Sequence, residues 1–127
     1  KNVLRGMHLQ TKNPQGKFIS VIKGKIFDVA LDCRKKSKTY GKYFSTILSD
    51  KNCKSLYIPE GFAHGFQTMT RDVEMLYFHS NDYQPEYEAG VNAFDSSLAI
   101  PWPTKCTQIS TKDEGLPELN SIEAVKL

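Results

Sequence analysis

At 127 residues with 39% hydrophobic content, the chain can bury one core and little more, so a single domain is expected. The net charge of +3, from 17 Lys+Arg against 14 Asp+Glu, suits a small anionic molecule and does not point to nucleic acid. Three widely spaced cysteines, Cys33, Cys53 and Cys106, argue against a disulfide framework or zinc pair, and no apolar run nears the roughly 18 to 20 residues of a bilayer span, so no membrane contact and a reducing cytoplasm are expected.

The first predicted element is VLRGMHLQ. Strict strand alternation puts Arg5, Met7 and Leu9 on one face and Leu4, Gly6, His8 and Gln10 on the other, so His8 and Gln10 look the same way. Further short β-branched and aromatic runs follow: KFISVIKG, KIFDVALD, YFSTILS, KSLYIPEG, HGFQTMT and VEMLYFHS. Gly16, Gly24, Gly41, Gly61 and Gly65, with Asn52 and Pro59, fall between or at the ends of these runs, where positive φ or a fixed turn is needed. The basic run Arg34-Lys35-Lys36-Ser37-Lys38 reads as a solvated turn. From Asp95 to Leu116, with Pro101, Trp102 and Pro103, the pattern is that of an irregular connection, and PELNSIEAVKL predicts a short terminal helix. Strands of this length at this spacing predict an all-β sandwich or barrel whose alternate side chains point inward.

Chemistry enters with the histidines. His8 taken alone fits a satisfied edge-strand residue, but His64 in IPEGFAHGF lies within an apolar, aromatic strand where an imidazole is costly without a partner or a task. Two strand histidines suggest a metal. The objection is that Gln10 and Lys17 are the next groups able to reach that space, and an ammonium repels a divalent cation. Lys17, in an apolar strand, taken alone reads as exposed; pointing inward it would suit a developing oxyanion. Tyr77 shares a face with Met75 and His79, and core packing is its plain reading. A phenol with pKa about 10 is nevertheless a ready proton donor where an imidazole near about 6.5 is a ready acceptor. His79 reads as a surface or satisfied residue, Tyr83 and Tyr87 fall in the following loop, and Asp113 in STKDEG reads on local grounds as a loop or helix-capping residue.

The ordered segments LRGMHLQ, PQGKF, KGKIFDVALDCRKKSKTYGKY, LYIPEGFAHGF, LYFHSNDYQPEYEAGV, IPWP and ISTKD resemble the dTDP-4-dehydrorhamnose 3,5-epimerase family of cupin-fold sugar-nucleotide epimerases from Asn2 to Asp113. The resemblance implies a cupin jelly roll whose cavity holds a nucleoside-diphosphate 4-keto-6-deoxy sugar, in a homodimer, without metal, nicotinamide or flavin. It assigns His8 as general base, Asp113 as the carboxylate orienting it, Lys17 near the keto oxygen and Tyr77 as general acid. Arg5, Gln10, His64 and Tyr83 become substrate-binding residues. It also implies that the chain lacks the family's N-terminal segment ahead of LRG, and GVNAFD departs from the family by placing Asn92 and Ala93 where an arginine or other polar residue and an aromatic are common. The expected activity is inversion at C3, C5 or both, in nucleotide-sugar and surface-polysaccharide synthesis such as the dTDP-rhamnose and lipopolysaccharide routes. The competing readings are a 3,4-ketoisomerase, a non-catalytic sugar-nucleotide-binding cupin and a metal-dependent cupin.

Overall fold

The computed structural model describes residues 1–122. Eight strands account for nearly all regular structure: β1 Leu4–Gln10, β2 Lys17–Lys23, β3 Lys25–Asp32, β4 Tyr43–Ser49, β5 Ser55–Ile58, β6 Phe62–Thr68, β7 Glu74–His79 and β8 Glu88–Gly90. They form two antiparallel sheets, one ordered β4-β3-β6-β1-β8 and the other β5-β2-β7. The strands predicted from the alternating runs are all present. The short β8 had no such run, because three residues show no usable period.

The larger sheet is covered on both faces, which is why β3 is buried along nearly its whole length instead of alternating. Toward the smaller sheet it sends Ile26, Ala30 and Leu48 to meet Ile19, Val21 and Ile58. On its other face Leu4, Met7, Leu9, Val29, Leu31 and Ala63 pack against Val91, Leu98, Ile100 and Leu119. The stretch predicted as a mere connection from Asp95 to Leu116 therefore forms the lid of a second apolar cluster.

That lid has little secondary structure, and side chains fix it instead. The buried Gln67 side chain donates to the Thr104 carbonyl at 2.9 Å and accepts from the Thr104 N–H at 3.2 Å. Trp102 donates its indole N–H to the Ala93 carbonyl at 2.8 Å, and Asp95 accepts from the Leu119 N–H at 2.9 Å. The segment also contains a four-residue helix, α1 Thr111–Glu114, capped by the Ser110 hydroxyl. Of the predicted terminal helix, Leu119–Ser121 forms a single 3₁₀ turn, and residues 123–127 lie outside the described residues.

β1 does not alternate as predicted. Its partners on β6 run Arg5↔Phe66 and then His8↔His64, so Gly6 and Met7 together face the single residue Gly65. The extra residue turns the alternation over once: Leu4, Met7 and Leu9 enter the outer core, while Arg5, His8 and Gln10 share the opposite side. Two glycines make room for it. Gly6 adopts φ +112°, and a Cβ there would lie 2.5 Å from the His64 carbonyl oxygen. Gly65, expected in a turn, lies inside β6, where a Cβ would meet Met7 Sδ at 2.5 Å and the Arg5 carbonyl oxygen at 2.9 Å.

Gly65→Ala is accordingly expected to destabilise the protein by about 1–3 kcal/mol through overpacking. Urea unfolding should show this as a lowered midpoint at unchanged slope, and a midpoint equal to the wild type would remove the close-approach account of this glycine.

Candidate active site

The two sheets diverge at one end around a cavity of about 470 Å³. The bulged strand β1 aims Arg5, His8 and Gln10 into it, β6 adds His64, and the smaller sheet contributes Lys17 from β2 with Tyr77 and His79 from β7. Tyr83 and Glu88 close the rim. Seven of the eight residues singled out in the sequence thus line one cavity, and the eighth, Asp113, stands behind His8.

His8 Nε2 lies 2.6 Å from Asp113 Oδ1, across 105 residues of chain. The other carboxylate oxygen, Oδ2, accepts the Gly6 N–H at 3.1 Å. Asp113 is 4% exposed and is not the cap of α1; it sits in the first turn, its own N–H donating to the capping Ser110 hydroxyl at 3.1 Å. With one imidazole nitrogen committed to a buried carboxylate, the tautomer is set and the second nitrogen keeps a lone pair for proton uptake.

Lys17 is 8% exposed, so the exposed reading is corrected: the β2 alternation turns it inward beside Ile19. Its Nζ reaches the His8 carbonyl oxygen at 3.5 Å. Burial draws its pKa down, opposed by the fields of Glu88 and Asp28. Tyr77 is pushed well above the ordinary phenol value, first by burial and then by Asp28, with Arg5 acting in the other direction. Its phenol therefore holds its proton at neutral pH.

His64 is held at 2.5 Å by Asp28 Oδ1, both side chains being buried. Asp28 escaped the sequence reading, although a lone aspartate inside the apolar run KIFDVALD was the signal available. Its second oxygen, Oδ2, is buried without a partner among the described residues. Gln10 is largely occupied in holding the rim: it donates to the Asn13 carbonyl at 2.9 Å and accepts from the Gln84 N–H at 2.8 Å. Tyr83 donates its hydroxyl to Glu88 at 3.0 Å, and Glu88 also takes Lys112 Nζ at 2.5 Å. Glu88 was missed because β8 was; His79, read as a surface or satisfied residue, is exposed and also borders the cavity. No group of three His, Cys, Asp or Glu side chains placed to hold a metal ion occurs among the described residues.

The family model for dTDP-4-dehydrorhamnose 3,5-epimerase matches residues 1–121. The chain belongs to the dTDP-4-dehydrorhamnose 3,5-epimerase family. Among curated relatives of that name, the protein of Methanothermobacter thermautotrophicus is 45% identical over 116 residues, covering 89% of this chain and 63% of its own length. That of Salmonella typhimurium is 43% identical over 122 residues, covering 94% of this chain and 67% of its own. The chain thus spans about two thirds of the length of these relatives. The structure of the Legionella pneumophila 3,5-epimerase in complex with dTDP-4-keto-L-rhamnose superposes with a TM-score of 0.96 at 40% identity, covering 100% of this chain and 70% of that one. The family enzyme of Sulfolobus tokodaii superposes at 0.90 with 44% identity, over 99% and 70% of the two chains. The two-sheet architecture is the cupin-like jelly roll of this epimerase family.

Because Tyr77 is held in its phenol form, its deletion should leave the ordinary tyrosine titration near about pH 10 untouched. Phenolate absorbance curves of the wild type and Tyr77→Phe are expected to superimpose through that range while the protein stays folded. An amplitude lowered by one tyrosine in the variant would contradict the assignment.

Proposed function

We propose that the chain, acting as one domain over residues 1–127, carries the catalytic site of a cofactor-independent epimerase. It inverts C3, C5 or both of a nucleoside-diphosphate 4-keto-6-deoxy sugar. The single observation behind this reading is a His8–Asp113 pair on one sheet facing the Tyr77 phenol on the other, with the buried Lys17 ammonium in the same cavity.

A hydrogen on carbon beside a ketone becomes removable only when the resulting enolate is stabilised. His8 takes that proton on its free nitrogen, and Asp113 offsets the imidazolium charge that forms. The electron pair moves onto the former carbonyl oxygen, where Lys17 supplies a fixed positive charge with little competing water. Tyr77 then returns a proton to the same carbon from the opposite face as the enolate collapses to the ketone; solvent reprotonates the phenolate and takes the proton from the His8 imidazolium. Removal from one face and return to the other inverts the centre without metal or redox cofactor. Arg5, Gln10, His64 and Tyr83 bind the substrate in this scheme, with Arg5 suited to its negative charge.

We place this activity in the cytoplasm and in a homodimer. Three cysteines that are free in the structure are consistent with the first. For the second, the outer face of the smaller sheet exposes Phe18 with its cross-strand neighbours Tyr57 and Phe78, and Leu76 beside them, an apolar row of the kind that marks an interaction surface.

The test is incubation of the protein with a 4-keto-6-deoxy sugar nucleotide in heavy water, read by NMR. Deuterium should enter C3, C5 or both with inversion, and His8→Ala should slow this by about 10²–10⁴-fold. Lys17→Met should reduce kcat by about 10²–10³-fold while KM changes less. Wild-type exchange in His8→Ala, or a product whose carbonyl has moved from C4 to C3, would sink the proposal.

A further inference from the structure

The proposed reaction leaves two ionisable groups of the cavity without a task, and of these Glu88 is already held by Tyr83 and Lys112. The side chain of His79, the last residue of β7, is exposed and makes no hydrogen bond among the described residues, yet it borders the cavity and lies against the acid. Its ring stacks on that of Tyr77 with centroids 5.8 Å apart and planes 19° from parallel. The other aromatic partner of Tyr77 is His64, edge-on at 5.9 Å and already committed to Asp28. Strand register puts His79 directly across from Lys17 on β2.

From this geometry we infer that His79 is a positioning residue for the general acid: its ring, stacked along Tyr77 at the cavity mouth, holds the phenol on the face from which a proton must be delivered. The inference rests on the epimerase reading above and adds to it a residue with no direct contact to the reacting atoms.

The physical case has two parts. Tyr77 is at the end of the smaller sheet, where β7 stops two residues later and the loop to Tyr83 begins. Inward of it lie Met75 and the core, and on the solvent side the exposed His79 ring is stacked against it. A proton donor displaced by about 1 Å loses rate by orders of magnitude, so such a contact matters to inversion. The second part is charge. His79 faces Lys17 on β2, His64 on β6 and Tyr77 on its own strand, while Arg5, His8, Tyr83 and Glu88 complete the ionisable lining of the cavity. Burial, then Lys17, then His64 hold its pKa below the ordinary imidazole value, so it is neutral at pH 7. Protonation at lower pH sets a second cation opposite Lys17 and drives the ring outward, away from Tyr77.

The test separates removal of a proton from its return. In heavy water, a substrate carbon that loses its hydrogen to His8 and recovers deuterium on the same face is labelled without inversion. Inverted product requires Tyr77. The ratio of inverted to merely labelled sugar therefore reports the acid side alone, and it is insensitive to loss of folded protein because both events come from folded molecules. His79→Ala is expected to lower this ratio about tenfold or more with KM little changed, and His79→Phe, which restores a stacking ring, to recover most of it. The wild-type ratio should also fall with pH in the range below the ordinary imidazole value, whereas that of His79→Phe stays level. A ratio unchanged in His79→Ala, or equally low in both variants, overturns the proposal. The stacking is read independently of turnover: the His79 ring protons should carry a ring-current shift that Tyr77→Leu abolishes, and its absence also overturns the proposal. A wild type that shows this shift but neither labels nor inverts the sugar overturns the epimerase reading instead.

Discussion

One carboxylate holds the candidate base and the backbone that aims it. Asp113 gives one oxygen to the imidazole of His8 and the other to the N–H of Gly6, inside the bulge that turns His8 toward the cavity. If it moved, the imidazole would lose its orientation and the bulge its anchor together. The carboxylate is carried by a helix of four residues, far too short to be stable by itself. Its position is imposed by the Ser110 cap, by Lys112 reaching Glu88 on β8, and by Asn92, whose side-chain amide ties to the carbonyls of Glu114 and Leu116. The irregular C-terminal segment is in this sense a support for a single side chain, and its apolar residues seal the outer core as they provide it.

The two histidines that line the cavity from β1 and β6 are each backed by an aspartate, in unlike surroundings. His8 keeps about a third of its side chain accessible, whereas His64 and Asp28 are withdrawn from solvent. An open pair can exchange its proton with substrate and water; a closed one acts as a fixed dipole. The partnerless oxygen of Asp28 adds negative potential, which favours the ammonium of Lys17 and disfavours the phenolate of Tyr77. For Lys17 that field works against the downward pull of burial, and a charged amine beside a protonated phenol is what enolate chemistry asks of the two.

Much of this was readable in advance wherever a local pattern carried it. The β-branched runs named the strands, and His64, a polar group in an apolar strand, pointed to a site because burying it without purpose is costly. The misses have common causes. Alternation put Arg5 on the wrong face because the bulge depends on the pairing of β1 with β6, and one added residue inverts every position beyond it. Glu88 belongs to a strand too short to show a period. His79 is solvent-facing, as its place at the end of its strand suggests, but its contact with Tyr77 is visible only once the cavity is assembled. The role of Asp113 came from family resemblance alone, since nothing within STKDEG distinguishes it from an ordinary helix-start residue.

Fold class and the kinds of group available for chemistry are thus properties of the chain read in one dimension, because strand period and the penalty on buried polar atoms act over neighbouring residues. The pairing of a base near one end with a carboxylate near the other, and the meeting of a phenol and an ammonium across two sheets, belong to the folded molecule. They arise from register, from a bulge permitted by two glycines, and from packing between segments up to 107 residues apart, none of which leaves a trace in local sequence.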